Sequence, residues 1–83
     1  MPYVYIAQCR DGTLYTGWTD ELGKRIHAHN NGKGAKYTRG RRPVTLVYSE
    51  EFSSKNDAMR REAVIKKMPR LSKLNLTDGV KNV

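Results

Sequence analysis

The opening of the chain constrains the fold most, because its residue pattern is that of a β-hairpin. Residues 3–9, YVYIAQC, alternate along the chain and are rich in β-forming types. Asp11-Gly12 then supplies a turn signal, and residues 14–19, LYTGWT, return to strand character. The sequence therefore predicts that the chain begins with two antiparallel strands.

The length of the hairpin loop decides where two tyrosines lie. A two-residue turn at Asp11-Gly12 would put Tyr5 and Tyr15 on opposite faces of the hairpin. A three-residue loop over residues 10–12 would instead pair Tyr5 with Gly17, and both tyrosines would share one face. The glycine at position 12 suits either loop, so the residues alone leave this choice open.

The chain beyond the hairpin is predicted to alternate between helix and strand. Asp20 can cap a helix that runs over residues 21 to about 30. Residues 44–52 return to β character, and Ser53 or Ser54 can cap the next helix. Pro69 ends or kinks that second helix.

Three leucines between residues 71 and 76 indicate a short closing helix after Pro69. The element order is then β-β-α-β-α-α, which is an α/β (α+β) fold: a small three-stranded antiparallel sheet flanked by helices. We expect residues 1–78 to form a single domain, since 83 residues leave room for one small core. Residues 79–83 are predicted to be a flexible tail.

Glu62 is unusual because it falls where its helix should be apolar. At 100° per residue its side chain projects inside the arc of apolar residues on that helix. An unpaired buried charge costs several kcal/mol, so Glu62 is expected to meet a cation, either an arginine or a divalent metal ion. The apolar positions of this arc are Ala58, Met59, Ala63, Ile65 and Met68.

The charge of the chain predicts a polyanionic partner. Lys and Arg number 16 against 8 Asp and Glu, which gives a formal net charge of +8, and such a balance favours nucleic acid. The stretch from Gly32 to Pro43 concentrates this charge, lacks core-facing periodicity and is predicted to be a basic loop. Its candidate contacts to nucleic acid are Lys33, Lys36, Tyr37, Arg39, Arg41 and Arg42.

Cysteine content and hydropathy limit the cellular locations that we expect for the chain. Cys9 is the only cysteine, which excludes an internal disulfide and a cysteine-rich zinc site and predicts a cytoplasmic location. No apolar run approaches the length of a membrane-spanning helix, and no secretory signal is visible, so we expect no membrane association.

Taken together, the residues resemble the GIY-YIG nuclease superfamily. Within it, the chain looks most like the short stand-alone bacterial members of the YhbQ/YazA type. The first signature triplet corresponds to residues 3–5, YVY, and the second to residues 15–17, YTG. The first triplet thus lacks its Gly and Ile, and the second has Thr in place of Ile. Further matches are the helix arginine at Arg25, the downstream histidine at His29 and the metal-binding glutamate at Glu62. Asn75 is a candidate for the late asparagine of the family.

The resemblance implies a metal-dependent endonuclease that hydrolyses DNA phosphodiester bonds in repair or recombination. With no recognition helix evident, we expect structure-directed or weakly specific cutting. One Mg²⁺ or Mn²⁺ ion is the implied cofactor. The alternative is a nucleic-acid-binding module of the same fold that is not catalytic or depends on a partner. DNA is expected over RNA, a protein partner could supply targeting, and the chain is expected to be a monomer.

The resemblance also implies roles for the matched residues. Glu62 would hold the metal ion, and Arg25 would contact the phosphate. A tyrosine would activate the attacking water; Tyr5 is favoured, with Tyr15 nearby, but the sequence does not settle which of the two is the base. His29 would act as a relay. Gly17 has a structural role, because a missing side chain opposite Tyr5 leaves space for its ring.

Overall fold

The computed structural model describes residues 1–81, and the side chains of residues 1–77. These residues form a three-stranded antiparallel sheet, flanked by helices, with β1 in the centre between β2 and β3. This confirms the predicted fold class and the order of the predicted elements, with one short additional helix, α2. The elements are β1 (Tyr3–Gln8), β2 (Leu14–Thr19), α1 (Leu22–Asn30), α2 (Lys36–Arg39), β3 (Thr45–Glu51), α3 (Lys55–Lys66) and α4 (Arg70–Lys81).

The hairpin adopts the register of the three-residue loop. Tyr5 pairs with Gly17, and Tyr15 pairs with the residue two positions after Tyr5 on β1. Gly12 takes a φ of 85°, a left-handed conformation that favours glycine, and its N–H donates to the carbonyl of Cys9 over 2.9 Å. The two tyrosines therefore lie on one face of the sheet.

The central strand β1 is buried on both faces. Val4 and Ile6 face a core that they share with buried residues of α3, among them Ile65. Tyr5 and Ala7 face the opposite side, against partly buried apolar residues of α1. Alternation along one strand thus sends successive side chains into two separate cores, and the tyrosine side is the one that carries the candidate site.

The helix starts agree with the prediction in one case and differ in the other. Ser54 caps α3, because its Oγ accepts the N–H of Asp57 over 3.2 Å. The predicted cap at Asp20 is wrong: α1 begins at Leu22 with Glu21 in the cap position. The reason is local, since the Oγ1 of Thr19 accepts the N–H of Glu21 over 3.2 Å and fixes the turn between β2 and α1.

The basic segment, residues 32–43, is more ordered than predicted. Its centre forms α2, a single turn anchored by Thr38, which is fully buried. Its end is tied to α1 by the Asn30 carboxamide, which accepts from the N–H of Val44 over 2.6 Å and donates to the carbonyl of Val44 over 3.1 Å. The prediction of a loop throughout is wrong because four helical residues are too few to produce a recognisable apolar period.

The last two helices meet at Pro69, between the end of α3 at Lys66 and the start of α4 at Arg70. The backbone of α4 is helical through Lys81, so it overlaps the predicted tail of residues 79–83. Residues 82 and 83 lie outside the described residues. Among residues 1–81, no helix combines the length and the apolar character that crossing a bilayer requires.

Candidate active site

Three aromatic side chains meet between the hairpin and α1. The hydroxyl oxygen of Tyr5 lies 2.8 Å from Nε2 of His29, and both side chains are fully buried. The ring of Tyr15 lies beside them, with centroid distances of 6.3 Å to Tyr5 and 5.2 Å to His29. The structure therefore brings together three of the predicted site residues, and the Tyr5 hydroxyl bonds to the histidine.

Gly17 creates the room for this cluster. A Cβ on Gly17 would lie 2.8 Å from the Tyr5 hydroxyl oxygen, closer than Cβ atoms lie in proteins, and would be in tight contact with the Tyr15 ring at 3.1 Å. The predicted structural role of this glycine therefore has a direct geometric basis.

The second ring nitrogen of His29 is held by the basic segment. Nδ1 lies 2.8 Å from Oγ1 of Thr38, and the Thr38 hydroxyl donates to the carbonyl of Ala35 over 2.9 Å. Because a hydroxyl has one hydrogen, Oγ1 accepts from Nδ1–H, which leaves Nε2 as the acceptor of the Tyr5 O–H. The N–H of Ala35 also approaches Nδ1, at 3.4 Å. The assignment rests on the shorter Thr38 bond and on the Tyr5 hydroxyl, which accepts from Arg25 and therefore has its own hydrogen to donate to Nε2.

A close backbone approach at Gly34 completes the environment of His29. A Cβ on Gly34 would overlap the imidazole ring, 2.7 Å from its Cγ. Sequence reasoning missed both Gly34 and Thr38, which lie within the basic segment. Neither residue carries a signal in the sequence, because a threonine and a glycine among exposed cations are typical of a surface loop.

Arg25 links the buried pair to the protein surface. Its Nε donates to the Tyr5 hydroxyl over 3.4 Å, and its side chain is half-buried. This hydrogen bond is the main reason that the pKa of Arg25 is raised above its ordinary value. A cleft of about 360 Å³ opens beside Arg25, between the end of β2 and α1, and gives access to this edge of the site.

The pKa values of the buried pair favour a neutral histidine and a protonated tyrosine. Burial raises the pKa of Tyr5 above 10, against the lowering effect of the hydrogen bond and charge of Arg25. Burial also lowers the pKa of His29 below 6.5, and the charge of Arg25 adds to that shift. At neutral pH the imidazole is therefore a free base that already accepts a hydrogen bond from the phenol.

Glu62 lies on α3 between the buried positions Ala58 and Ile65 of that helix. Only 18% of its side chain is exposed, and its Oε2 lies 3.0 Å from Nζ of Lys66. The cation that it meets in the structure is thus a lysine one turn away and not the predicted arginine, while a metal ion at this carboxylate stays a prediction. The charge of Glu62 makes only a minor contribution to the raised pKa of Tyr5, and among residues 1–77 no hydrogen bond joins the carboxylate to Tyr5 or Arg25.

The residues present fit a metal ion that relies on few protein ligands. Among residues 1–77, no group of three or more His, Cys, Asp and Glu side chains could hold a metal ion. A Glu62 carboxylate by itself suits Mg²⁺ or Mn²⁺, since such hard ions keep waters and take phosphate oxygens as further ligands. Half of the Lys66 side chain is exposed, so its ion pair with the carboxylate lies at the protein surface, where a metal ion could replace it.

The predicted nucleic-acid contacts of the basic segment divide into two groups. The Tyr37 ring stacks on Tyr15 with a centroid distance of 6.0 Å, and the Arg41 guanidinium lies over the same ring at 4.1 Å. Arg41 also pairs with Asp11 over 3.1 Å. These two residues thus join α2 to the hairpin, and their contact with nucleic acid stays a prediction. The exposed cations are Lys33, Lys36, Arg39 and Arg42.

Asn75 is separate from these groups. It lies on α4, which packs against β3, and its side chain is exposed. Within residues 1–77, no hydrogen bond joins Asn75 to Tyr5, His29 or Glu62. Its alignment with the late asparagine of the family stays a prediction.

The family model described as the GIY-YIG catalytic domain matches residues 1–75. The chain belongs to the GIY-YIG family. GIY-YIG proteins are nucleases that generally depend on divalent metal ions, so family membership implies an endonuclease-type function.

Similar GIY-YIG proteins are small and match over most of their length. UPF0213 protein CPE1444 of Clostridium perfringens is 63% identical over 76 residues, which cover 92% of this chain and 82% of the relative. UPF0213 protein VNG_2274C of Halobacterium salinarum is 55% identical, covering 88% of this chain and 95% of the relative. These names assign no activity.

Two solution NMR structures share this GIY-YIG fold. UPF0213 protein BH0048 of Bacillus halodurans has a TM-score of 0.60 and 49% identity, covering 94% of this chain and 84% of that one. Protein EF2693 of E. faecalis has a TM-score of 0.62 and 36% identity, covering 98% and 86%. The predicted resemblance to small stand-alone family members is confirmed.

Proposed function

We propose that this protein is a metal-dependent endonuclease that hydrolyses DNA phosphodiester bonds in a structure-directed or weakly sequence-specific way. The observation that carries the proposal is the buried chain of hydrogen bonds from Tyr5 through His29 to Thr38, with Arg25 at its outer end. A phenol of high pKa needs a partner to take its proton, and a neutral histidine bonded to its oxygen is such a partner. The protein would act as a cytoplasmic monomer, in repair or recombination, with DNA preferred over RNA.

The proposed reaction begins when Arg25 turns from the Tyr5 oxygen to the substrate phosphate. Its guanidinium can bind two phosphate oxygens at once, and losing one such pre-organised donor typically costs about 3 to 4 kcal/mol of transition-state stabilisation. The movement also uncovers the Tyr5 hydroxyl, over which Arg25 lies at 3.4 Å.

Tyr5 and His29 then carry one proton equivalent away from the attacking water in two linked transfers. The proton of the attacking water passes to the Tyr5 oxygen as the Tyr5 proton passes to Nε2 of His29. The oxygen of the water forms the new bond to phosphorus, the bond to the departing ester oxygen breaks, and that oxygen takes a proton from solvent. Because Nδ1–H already donates to Thr38, the imidazolium that forms keeps both of its N–H groups hydrogen-bonded.

Glu62 would hold the Mg²⁺ or Mn²⁺ ion after releasing Lys66. The ion would supply positive charge that stabilises the five-coordinate phosphorus of the transition state and the departing oxygen. A carboxylate with one flexible lysine partner on a helix that packs against β1 and β2 suits this role.

One observation favours a second candidate, a nucleic-acid-binding module that cuts poorly or needs a protein partner. The Tyr5 side chain is fully buried, so water has no access to its hydroxyl in this conformation. If substrate alone does not move Arg25, a partner protein would have to complete the site.

Cleavage assays with matched variants separate these candidates. Purified wild type, Glu62→Gln and Tyr5→Phe would be incubated with labelled duplex, single-stranded, flapped and four-way-junction DNA and one structured RNA, with Mg²⁺, Mn²⁺ or EDTA. We expect metal-dependent cleavage by wild type, and losses of about 10²- to 10⁴-fold for Tyr5→Phe, the usual share of a general base. Glu62→Gln should cut far more slowly and bind DNA at least as tightly, because it removes a negative charge near the phosphate.

Two outcomes would contradict the proposal. Cleavage by Glu62→Gln at the wild-type rate would remove the metal assignment. Binding by wild type without cleavage, under every metal condition and with every substrate, would favour the binding module.

A further inference from the structure

A second cleft, between the hairpin loop, the end of α1 and the basic segment, is lined by basic residues. It has a volume of about 440 Å³, and three arginines line it: Arg10 from the hairpin loop, with Arg39 and Arg42 from the basic segment. The other residues that line it are Asn30, Gly40 and Pro43, so none of its lining residues carries a carboxylate. We call it the arginine cleft.

The backbone frame of the arginine cleft is fixed by hydrogen bonds. The N–H of Arg10 donates to the carbonyl of Arg41 over 2.9 Å, which joins the hairpin to the basic segment. Nε of Arg42 donates to the carbonyl of Arg39 over 2.9 Å. The carboxamide of Asn30 holds the backbone of Val44 by two hydrogen bonds. The arginines are therefore presented from a pre-organised frame, which lowers the entropic cost of binding a ligand.

Two of the three guanidinium groups are available to a ligand. Among residues 1–77, neither Arg10 nor Arg39 makes a side-chain hydrogen bond or ion pair with the protein, and both are exposed. Three cations facing one cleft repel each other, and an anion between them relieves that repulsion. The forked donors of arginine match the tetrahedral oxygens of a phosphate, to which they bind in pairs.

The arginine cleft is connected to the active site by single peptide steps. Asn30 directly follows His29 on α1, and Arg39 directly follows Thr38 on α2. Consecutive Cα atoms are about 3.8 Å apart, so the cleft begins within one residue of both hydrogen-bonding partners in the relay. Arg25 and Asn30 both lie on α1, so a nucleic-acid strand whose phosphate is at Arg25 can extend along this helix to the cleft.

We propose that the arginine cleft binds a phosphodiester group that flanks the bond cut at the active site, on the same nucleic acid. This inference rests on the proposed function and extends it, because it gives the substrate a second anchor and hence a direction across the protein. The cleft contacts backbone only, so it adds affinity without base specificity. Its ligand is a polynucleotide phosphate and not free inorganic phosphate.

The double variant Arg10→Gln/Arg39→Gln tests the proposal without disturbing the frame, since Arg42 is left in place. The matched control is Arg60→Gln/Lys67→Gln, which removes the same charge from exposed positions of α3 and its C-terminal cap. Binding of a fluorescein-labelled DNA strand and duplex would be followed by anisotropy in EDTA over a range of salt concentrations, so that no cleavage takes place. Equal thermal midpoints would establish that both variants fold.

Log affinity falls as log salt concentration rises, and we expect the Arg10/Arg39 variant to make this slope shallower by about one, the effect of losing one phosphate contact. Its affinity should fall by about five- to tenfold near physiological salt, while the control falls by less than about twofold. Equal slopes for the two double variants would overturn the proposal. An NMR titration provides a second test. The proposal would also be overturned if inorganic phosphate and the oligonucleotide, at the same concentration, changed the Nε–Hε chemical shifts of Arg10 and Arg39 equally.

The binding assay is independent of the cleavage assay. If wild type cleaves nothing, the proposed enzyme activity fails, but the slope measured in EDTA still decides whether the cleft holds a backbone phosphate. If wild type cleaves and the two double variants share one slope, only the arginine cleft fails.

Discussion

At the residue scale, the hydroxyl of Thr38 decides which nitrogen of His29 is free to accept a proton. It accepts from Nδ1–H over 2.8 Å and gives its own hydrogen to the carbonyl of Ala35. Without this bond, either tautomer of the buried ring could form, and one of them would turn Nε2 into a donor toward Tyr5. Thr38 is thus a positioning residue that acts through His29.

The variant Thr38→Val tests this role. We expect kcat to fall by about 10- to 100-fold, the usual cost of removing a partner that orients a functional histidine, while KM stays unchanged. The acid limb of the pH–rate profile should move to lower pH, because the imidazolium loses an acceptor. Thr38→Ser keeps the hydroxyl and should restore both rate and profile. A Thr38→Ser enzyme as slow as Thr38→Val, or an unmoved acid limb, would contradict the role.

At the element scale, the cap of α3 supports the helix that carries Glu62. Ser54→Ala removes the oxygen that accepts the N–H of Asp57, and we expect the free energy of unfolding to fall by about 1 kcal/mol, within about 0.5 to 2 kcal/mol. Ser53→Ala changes the exposed residue next to it and is the matched control. Urea unfolding of both variants measures the difference. A loss equal in the two variants would mean that the cap contributes nothing.

The accuracy of the sequence predictions differed among elements for physical reasons. The hairpin, β3, α3 and α4 follow from residue types and periodicity, but Gly12 suits two loops, and only packing of the whole sheet selects the register. On α3, Ala58 and Ile65 are buried as the periodicity predicts, whereas 44% of Met59 is exposed. Short elements such as α2, and caps such as that of α1, depend on single hydrogen bonds that leave no pattern in a sequence.

The residues of the candidate site were likewise predictable only where the sequence carries a recognisable pattern. Tyr5, Tyr15, Arg25 and His29 could be named in advance because the chain resembles a family, and the structure brings all four together. Thr38 could not be named, because its partner His29 is nine residues away and nothing in a threonine among cations identifies it as an acceptor for a buried ring.

At the scale of the whole molecule, the buried histidine links the stability of the fold to pH. The pKa of His29 is lowered below 6.5 in the folded protein, chiefly by burial and then by the charge of Arg25, whereas the unfolded chain retains the ordinary value. Between these two pKa values the unfolded state binds more protons. The stability that neutral His29 contributes is therefore complete above about pH 6.5 and is lost as pH falls toward the folded pKa.

We expect the free energy of unfolding to decrease between about pH 7 and pH 5, as measured by urea unfolding at a series of pH values. The pKa of Asp11 is lowered mainly by a hydrogen bond from Thr13, so protonation of Asp11 changes the free energy of unfolding only in more acidic solution. The variant His27→Gln, at an exposed position, should retain the decrease, and His29→Gln should flatten it. A decrease that persists in His29→Gln would assign the effect to other groups.

The central position of β1 also determines the order in which the sheet can be completed during synthesis. The ribosome makes the central strand first, and its β2 neighbour follows within a few residues. The partners of β1 on its other edge, such as Glu51 opposite Tyr3, emerge only after the whole basic segment has been translated. Until then the innermost strand of the fold has one open edge, and a nascent chain stalled before residue 45 would present that edge to chaperones or to other chains.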